Sequence, residues 1–114
     1  ALSLVLLLVS AATAANASDW VFAGTNEDGT WFVDRESVEQ DGVVKTHWYW
    51  ARMHNGTSNL ARVRMNCATK VFQIFDLDGR DVDGHVVYQG ATLPESNIPP
   101  DSVIEHAWEI LCRQ

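Results

Sequence analysis

The stretch Asn59-Leu60-Ala61-Arg62-Val63-Arg64-Met65-Asn66-Cys67 decides how this chain folds. Its odd positions, Ala61, Val63, Met65 and Cys67, are apolar, while Arg62, Arg64 and Asn66 occupy even ones. Side chains alternate across a strand, so a period of two describes a half-buried antiparallel strand with one dry face and one wet face. Cys67 lies on the dry face. A partner for its thiol has to approach from the core side.

The second cysteine, Cys112, ends a segment of a different period. Ile98-Pro99-Pro100 closes an extended linker, and Asp101 or Ser102 can cap a helix, Ser102 forming a capping box with Glu105. Val103, Ile104, Ala107, Trp108 and Leu111 then fall on one helical stripe with Cys112 beside it. Two cysteines allow one intramolecular pairing, which would close a loop of about 46 residues and contribute roughly 4 kcal/mol by the chain-entropy argument. Pairing between molecules and two free thiols are the alternatives. Neither cysteine sits in a C-x-x-C pair or beside a basic cluster, so redox catalysis is not expected.

Working outward, Trp20–Thr25 and Thr30–Asp34 are β-prone runs joined by Asn26-Glu27-Asp28-Gly29, a hairpin in which Asp28-Gly29 is expected to supply a positive φ. Arg35–Asp41 is polar, with a single helical turn expected near Ser37-Val38-Glu39. Val43–Met53 is the longest strand candidate, and Asn55-Gly56 after it suggests a type I′ turn. Lys70–Asp76 and His85–Gln89 complete six strands, with Leu77–Gly84 expected as a loop between them. The fold class is therefore α+β: an antiparallel sheet of about six strands with one C-terminal helix packed on one face.

The chain opens with an uncharged apolar run, Ala1 to Val9, followed by small residues. Such a run is about half the length needed to span a bilayer, but it matches the body of a secretory signal peptide. Ala15-Asn16-Ala17 places cleavage before Ser18, and Thr13-Ala14-Ala15 offers a site two residues earlier; a buried N-terminal helix is the alternative. Residues 1–17 are thus expected to be a signal peptide truncated at its start, and 18–114 one domain exposed to an oxidising compartment. Without a cysteine near that cleavage point no lipid anchor is expected, and the product would be periplasmic or secreted. Fifteen acidic and eight basic side chains give a net charge of −7, which disfavours nucleic acid and anionic membrane as partners.

Catalytic and metal motifs are weak. Asp76-Leu77-Asp78-Gly79-Arg80-Asp81-Val82-Asp83-Gly84 invites a calcium reading, but loop positions five, six and twelve fall on Arg80, Asp81 and Val87, so the EF-hand pattern fails. His47, His54, His85 and His106 show no paired ligand spacing, and no G-x-S-x-G turn exists. No enzyme activity, metal or cofactor is expected.

The aromatic residues carry more information. Trp48 and Trp50 share one face of their strand with Val44 and Thr46, while Tyr49 shares the other with His47 and Lys45. Only one set can lie under the helix. Trp48 and Trp50, with Arg62 and Arg64 nearby, form the candidate interaction surface, since Trp, Tyr and Arg dominate protein–protein hot spots. The competing reading has the loop Gly90–Ile98 covering those rings. A protein partner or a homodimer would use the face if it is open.

The sequence also resembles a family, the surface-adhesin protein E-like domains of exported bacterial proteins. The matching residues are Asp19-Trp20-Val21, Asp28-Gly29-Thr30, Val33-Asp34-Arg35-Glu36-Ser37-Val38, Gly42-Val43-Val44, Asn66-Cys67, and Pro99-Pro100-Asp101-Ser102 leading to Leu111-Cys112. The resemblance spans residues 19–112 and implies a curved antiparallel sheet with the helix disulfide-tethered to one face. It also implies an adhesin-like, non-enzymatic role toward an extracellular-matrix or serum protein. A periplasmic accessory protein without host binding is the alternative.

Overall fold

The structure, a computed structural model, describes residues 18–113; the signal peptide expected over residues 1–17 lies outside them. Eight strands form one antiparallel sheet: β1 (Trp20–Thr25), β2 (Gly29–Asp34), β3 (Glu39–Asp41), β4 (Val44–Met53), β5 (Ser58–Asn66), β6 (Val71–Arg80), β7 (Val86–Ala91) and β8 (Ser96–Asn97). One helix, α1 (Val103–Cys112), follows them. The sheet is six strands wide, in the order β1-β2-β4-β5-β6-β7. The two extra strands do not widen it. β3 continues the β2 side of β4, pairing with Val44–Thr46, and β8 continues the β7 side of β6, pairing with Val71 and Phe72.

The core lies between α1 and one face of the sheet. Val33, Val63 and Met65 are fully buried there with Ala23, Ile98, Ala107, Trp108 and Leu111. Odd residues of β5 therefore point inward, as their alternation requires. Ser102 caps α1 by accepting from the Glu105 backbone N–H (3.1 Å). The reciprocal half of the capping box is displaced by one residue: the Glu105 carboxylate accepts from the Asp101 N–H (3.1 Å), whose residue stands at φ 59°. That bond and then the Lys70 ammonium hold the Glu105 carboxyl below its usual pKa.

Four ties fix the helix to the sheet. Cys67 and Cys112 are joined in a disulfide. The Lys45 ammonium donates to the Leu111 carbonyl, supplying at the helix C-terminus the cation that the last turn lacks. Lys70 pairs with Glu105 (3.2 Å) and lies over the Trp108 ring (4.5 Å). The Trp108 indole N–H donates to the Asn66 carbonyl (3.4 Å), next to the bridge.

Several local expectations need correction. The helical turn after β2 is a 3-10 turn at Arg35–Ser37, two residues earlier than expected, because the Asp34 carboxylate caps it by accepting from the Glu36 N–H. The β4–β5 turn is not type I′, since only Gly56 takes a positive φ (92°); Gly56 N–H bonds the Met53 carbonyl and the glycine completes the return to β5. β6 runs on through Leu77–Arg80, where a loop was expected, because that segment pairs with β5 on one side and β7 on the other. Gly79 permits this by lying under the Tyr88 ring, which an added Cβ would meet at 2.3 Å.

Gly29 also serves a different purpose from the one expected. Its φ is ordinary, and the Asn26 carboxamide shapes the turn by accepting from the Asp28 and Gly29 N–H groups. What requires glycine is proximity: a Cβ would stand 2.5 Å from the Arg52 carbonyl oxygen and 2.9 Å from the Met53 Cα. Both are backbone atoms that cannot rotate aside. Gly29→Ala is accordingly expected to cost about 1–3 kcal/mol, in the range of overpacked interiors, read as a lower midpoint in urea unfolding. An unchanged midpoint would show that the two strands separate there at no cost.

Candidate functional site

Packing α1 on one side commits each strand's two faces to different fates. Val21, Trp31, Tyr49, Phe72 and Ile74 pack with the helix-side core, and His47 is buried at 1% exposure. The Trp31 indole donates to the Tyr49 hydroxyl there (2.5 Å), and burial raises the Tyr49 pKa above its ordinary value. The even residues of β4 and β5 consequently stand on the opposite, open face, and with them all four candidate residues: Trp48, Trp50, Arg62 and Arg64.

Strand register arranges this open face into rows. One row runs Phe22, Phe32, Trp50, Leu60 across β1, β2, β4 and β5. The next runs Trp48, Arg62, Phe75 across β4, β5 and β6. Rings within and between rows are in contact. Phe32 stacks on Trp50 (5.3 Å), Phe22 meets Phe32 edge-on (6.2 Å), and Trp20 meets Trp50 the same way (6.2 Å, 62° between planes). Such pairs are worth about 0.5–1.5 kcal/mol beyond their buried area.

Arginines lie among these rings. Arg62 stands over Trp48 (5.8 Å) and Phe75 (5.1 Å), Arg64 over Phe75 (4.7 Å), and Arg52 over Trp50 (5.0 Å). Arg62 also has Glu39 and Asp76 at 3.7 Å, both half exposed or more, so these pairs are weak. Arg64 donates to the Gln73 side chain (3.1 Å). Trp20 and Phe22 remain 40% and 58% exposed. Segment 90–98 bonds along β6: Leu93 N–H to the Ile74 carbonyl, Ile98 N–H to that of Lys70, Gly90 N–H to the Asp78 carboxylate and the Gln73 side chain to the Leu93 carbonyl. Its Glu95 shares a hollow with Arg64 and Val44.

Trp20, Phe22, Phe32, Arg52, Phe75 and Arg80 join this face without having been singled out in the sequence. Arg52 could have been found, since it continues the even-numbered set of β4. Arg80 could not, because its segment carries loop composition.

The acidic run behaves otherwise. Asp76 and Asp78 belong to β6, so the carboxylates of 76–84 do not converge as a calcium loop would require. Asp81, Asp83 and His85 do gather in the β6–β7 turn, with one ligand atom of each within 4.8 Å of the others. The Asp81 carboxylate is occupied by the Asp83 and His85 backbone N–H groups, which gives it a structural role in the turn. None of the helices among the described residues is long and apolar enough to cross a membrane.

A comparison with protein families matches residues 20–113 to surface-adhesin protein E. Comparisons with curated proteins and with solved structures return no match.

Proposed function

Because the chain belongs to the surface-adhesin protein E family, we propose that it is an exported, non-enzymatic binding domain that presents the open face of its sheet to an extracellular-matrix or serum protein. The observation that carries this reading is the run of contacting rings Phe22, Phe32, Trp50 and Trp20 with arginines over Trp48 and Trp50. Trp20 and Phe22 of this run are exposed, and contiguous exposed apolar surface is what interaction sites present. Trp and Arg together are the side chains that dominate protein–protein hot spots, since each offers a large contact area with a polar handle. The family and the disulfide support export to an oxidising compartment.

The test is the pair Trp48→Ala and Trp50→Ala, measured against immobilised matrix and serum proteins. Each is expected to weaken binding about 30-fold, as a hot-spot loss of 2 kcal/mol does, while circular dichroism shows the parent's fold. Should both variants unfold, the rings serve the fold. Should both bind as the parent does, the face is not the site.

A further inference from the structure

The open face is not uniform, and one end of it has features that the hot-spot reading leaves unused. A hollow of about 340 Å³ opens there, lined by Trp20, Trp50, Ser58, Leu60 and Arg80. The edge-on meeting of Trp20 and Trp50 makes one corner of it. The register of the sheet adds a second row beside it: Arg52 pairs with Ser58, and Ser58 with Arg80. The two arginines therefore bracket Ser58 from strands on either side, about 10 Å apart at the backbone for two strand spacings.

Their charge is uncompensated. Arg35 has Asp19, Arg62 has Glu39 and Asp76, and Lys70 has Glu105. Among the described residues neither Arg52 nor Arg80 has a carboxylate partner. Arg52 lies over the Trp50 ring, and Arg80 is steadied by one bond from Nη1 to the Gly84 carbonyl (2.9 Å), which leaves its other N–H groups available. In a chain of net charge −7, two arginines without carboxylate partners on either side of Ser58, beside the exposed Trp20, make a local positive patch.

We propose that this hollow binds an anionic sugar, a pyranose unit bearing a carboxylate or sulfate within an acidic polysaccharide. Each part of the hollow meets one part of that ligand. The flat C–H face of a pyranose packs on the Trp20 ring and Leu60. Ring hydroxyls find the Ser58 hydroxyl. The anion meets the Arg80 guanidinium in the hollow, with Arg52, outside the lining and over the Trp50 ring, as a second cation beside it; planar guanidinium forks match carboxylate and sulfate oxygens. A purely apolar ligand would leave both arginines without a counter-charge, and an acidic peptide side chain offers no flat face to the indole. This inference rests on the open face being the binding surface; it shares Trp20, Trp50 and Arg52 with that reading, adds Ser58, Leu60 and Arg80, and names a different ligand.

The experiment uses the protein with heparin hexasaccharide, hyaluronan hexasaccharide, a neutral dextran of equal length and a poly-glutamate peptide, followed by calorimetry or surface plasmon resonance. Heparin and hyaluronan are expected to bind, more weakly as salt rises, and the dextran not to bind. Arg80→Gln and Arg52→Gln, both at exposed positions, each lower that affinity at least tenfold at an unchanged Tm. Trp48→Ala, outside the hollow, leaves sugar binding as it was while reducing protein binding, so failure of either reading shows separately. Equal binding of the dextran, binding of poly-glutamate as tight as that of the sugars, or no sugar binding overturns the proposal.

Discussion

Replacing Cys112 with Ser is expected to lower the stability of the domain by about 4 kcal/mol without abolishing its fold. The bridge closes a loop across a sequence separation of 45 residues, and a crosslink of that span removes roughly this much free energy from the unfolded chain's entropy. The loss is large, because small domains have only about 5–15 kcal/mol in total. Folding should nonetheless survive, because the helix has other attachments. Trp108 and Leu111 are buried, Lys45 holds the Leu111 carbonyl, and Lys70 pairs with Glu105. Urea unfolding of the oxidised parent, the reduced parent and Cys67→Ser/Cys112→Ser separates these contributions. The reduced parent and the double variant should share one lower midpoint, and the double variant should not respond to reductant. An oxidised parent no more stable than its reduced form would refute the assignment.

Acidification is expected to remove a further share through a single residue. His47 is 1% exposed, and neither ring nitrogen has a hydrogen-bond partner among the described residues. Burial lowers its pKa from 6.5 to about 4, with the nearby Asp34 carboxylate opposing the shift less strongly. The fold therefore accepts the neutral ring, while the unfolded chain takes up a proton more readily. Stability from this residue is complete above pH 6.5, falls as the pH drops through that value, and levels off below about 4. Each pKa unit corresponds to 1.36 kcal/mol, so the loss reaches about 3 kcal/mol by pH 4. Other carboxylates titrate in part of this range, so the control is His47→Leu. An apolar side chain of similar size replaces an unsatisfied polar group, which costs little or stabilises. The variant should lose most of the slope between pH 6.5 and 4. A parent and variant with parallel pH profiles would place the sensitivity elsewhere.

Legibility in the sequence followed burial. The alternation in Asn59–Cys67 was readable because one face of β5 is fully dry, with Ala61, Val63 and Met65 at 0% exposure. The phase of α1 was readable for the same reason, and the two together placed both cysteines. β3 and β8 were not readable: every residue in them is exposed, so no periodic signal exists, and only backbone pairing with a neighbour makes them strands. The extension of β6 was hidden by Asp and Gly, residues that usually mark turns. Nothing local reveals that Gly79 is needed beneath Tyr88.

The candidate face was half readable. Parity alone brings Trp48, Trp50, Arg62 and Arg64 together, because β4 and β5 are adjacent and in register. Which face the helix would cover could not be decided, since β4 carries large rings on both. The structure resolves that choice through His47 and Tyr49, which go inward. The hollow beside Trp50 draws on β1, β4, β5 and β6, so it exists only after the sheet has assembled.

The Cys67–Cys112 bridge has a mechanical consequence as well. Tension pulling the two ends of the domain apart enters through β1 and leaves just past Cys112. At the bridge it crosses directly from Cys112 to Cys67, in the middle of the sheet. The chain between them, a sequence separation of 45 that holds β6, β7, β8 and nearly all of the helix, carries no load. About 150 Å of chain, at 3.3–3.6 Å per residue, thus stays out of the line of force. A domain pulled by flowing liquid while its face is held would stretch only from its first five strands, and reductant would make it longer under the same pull.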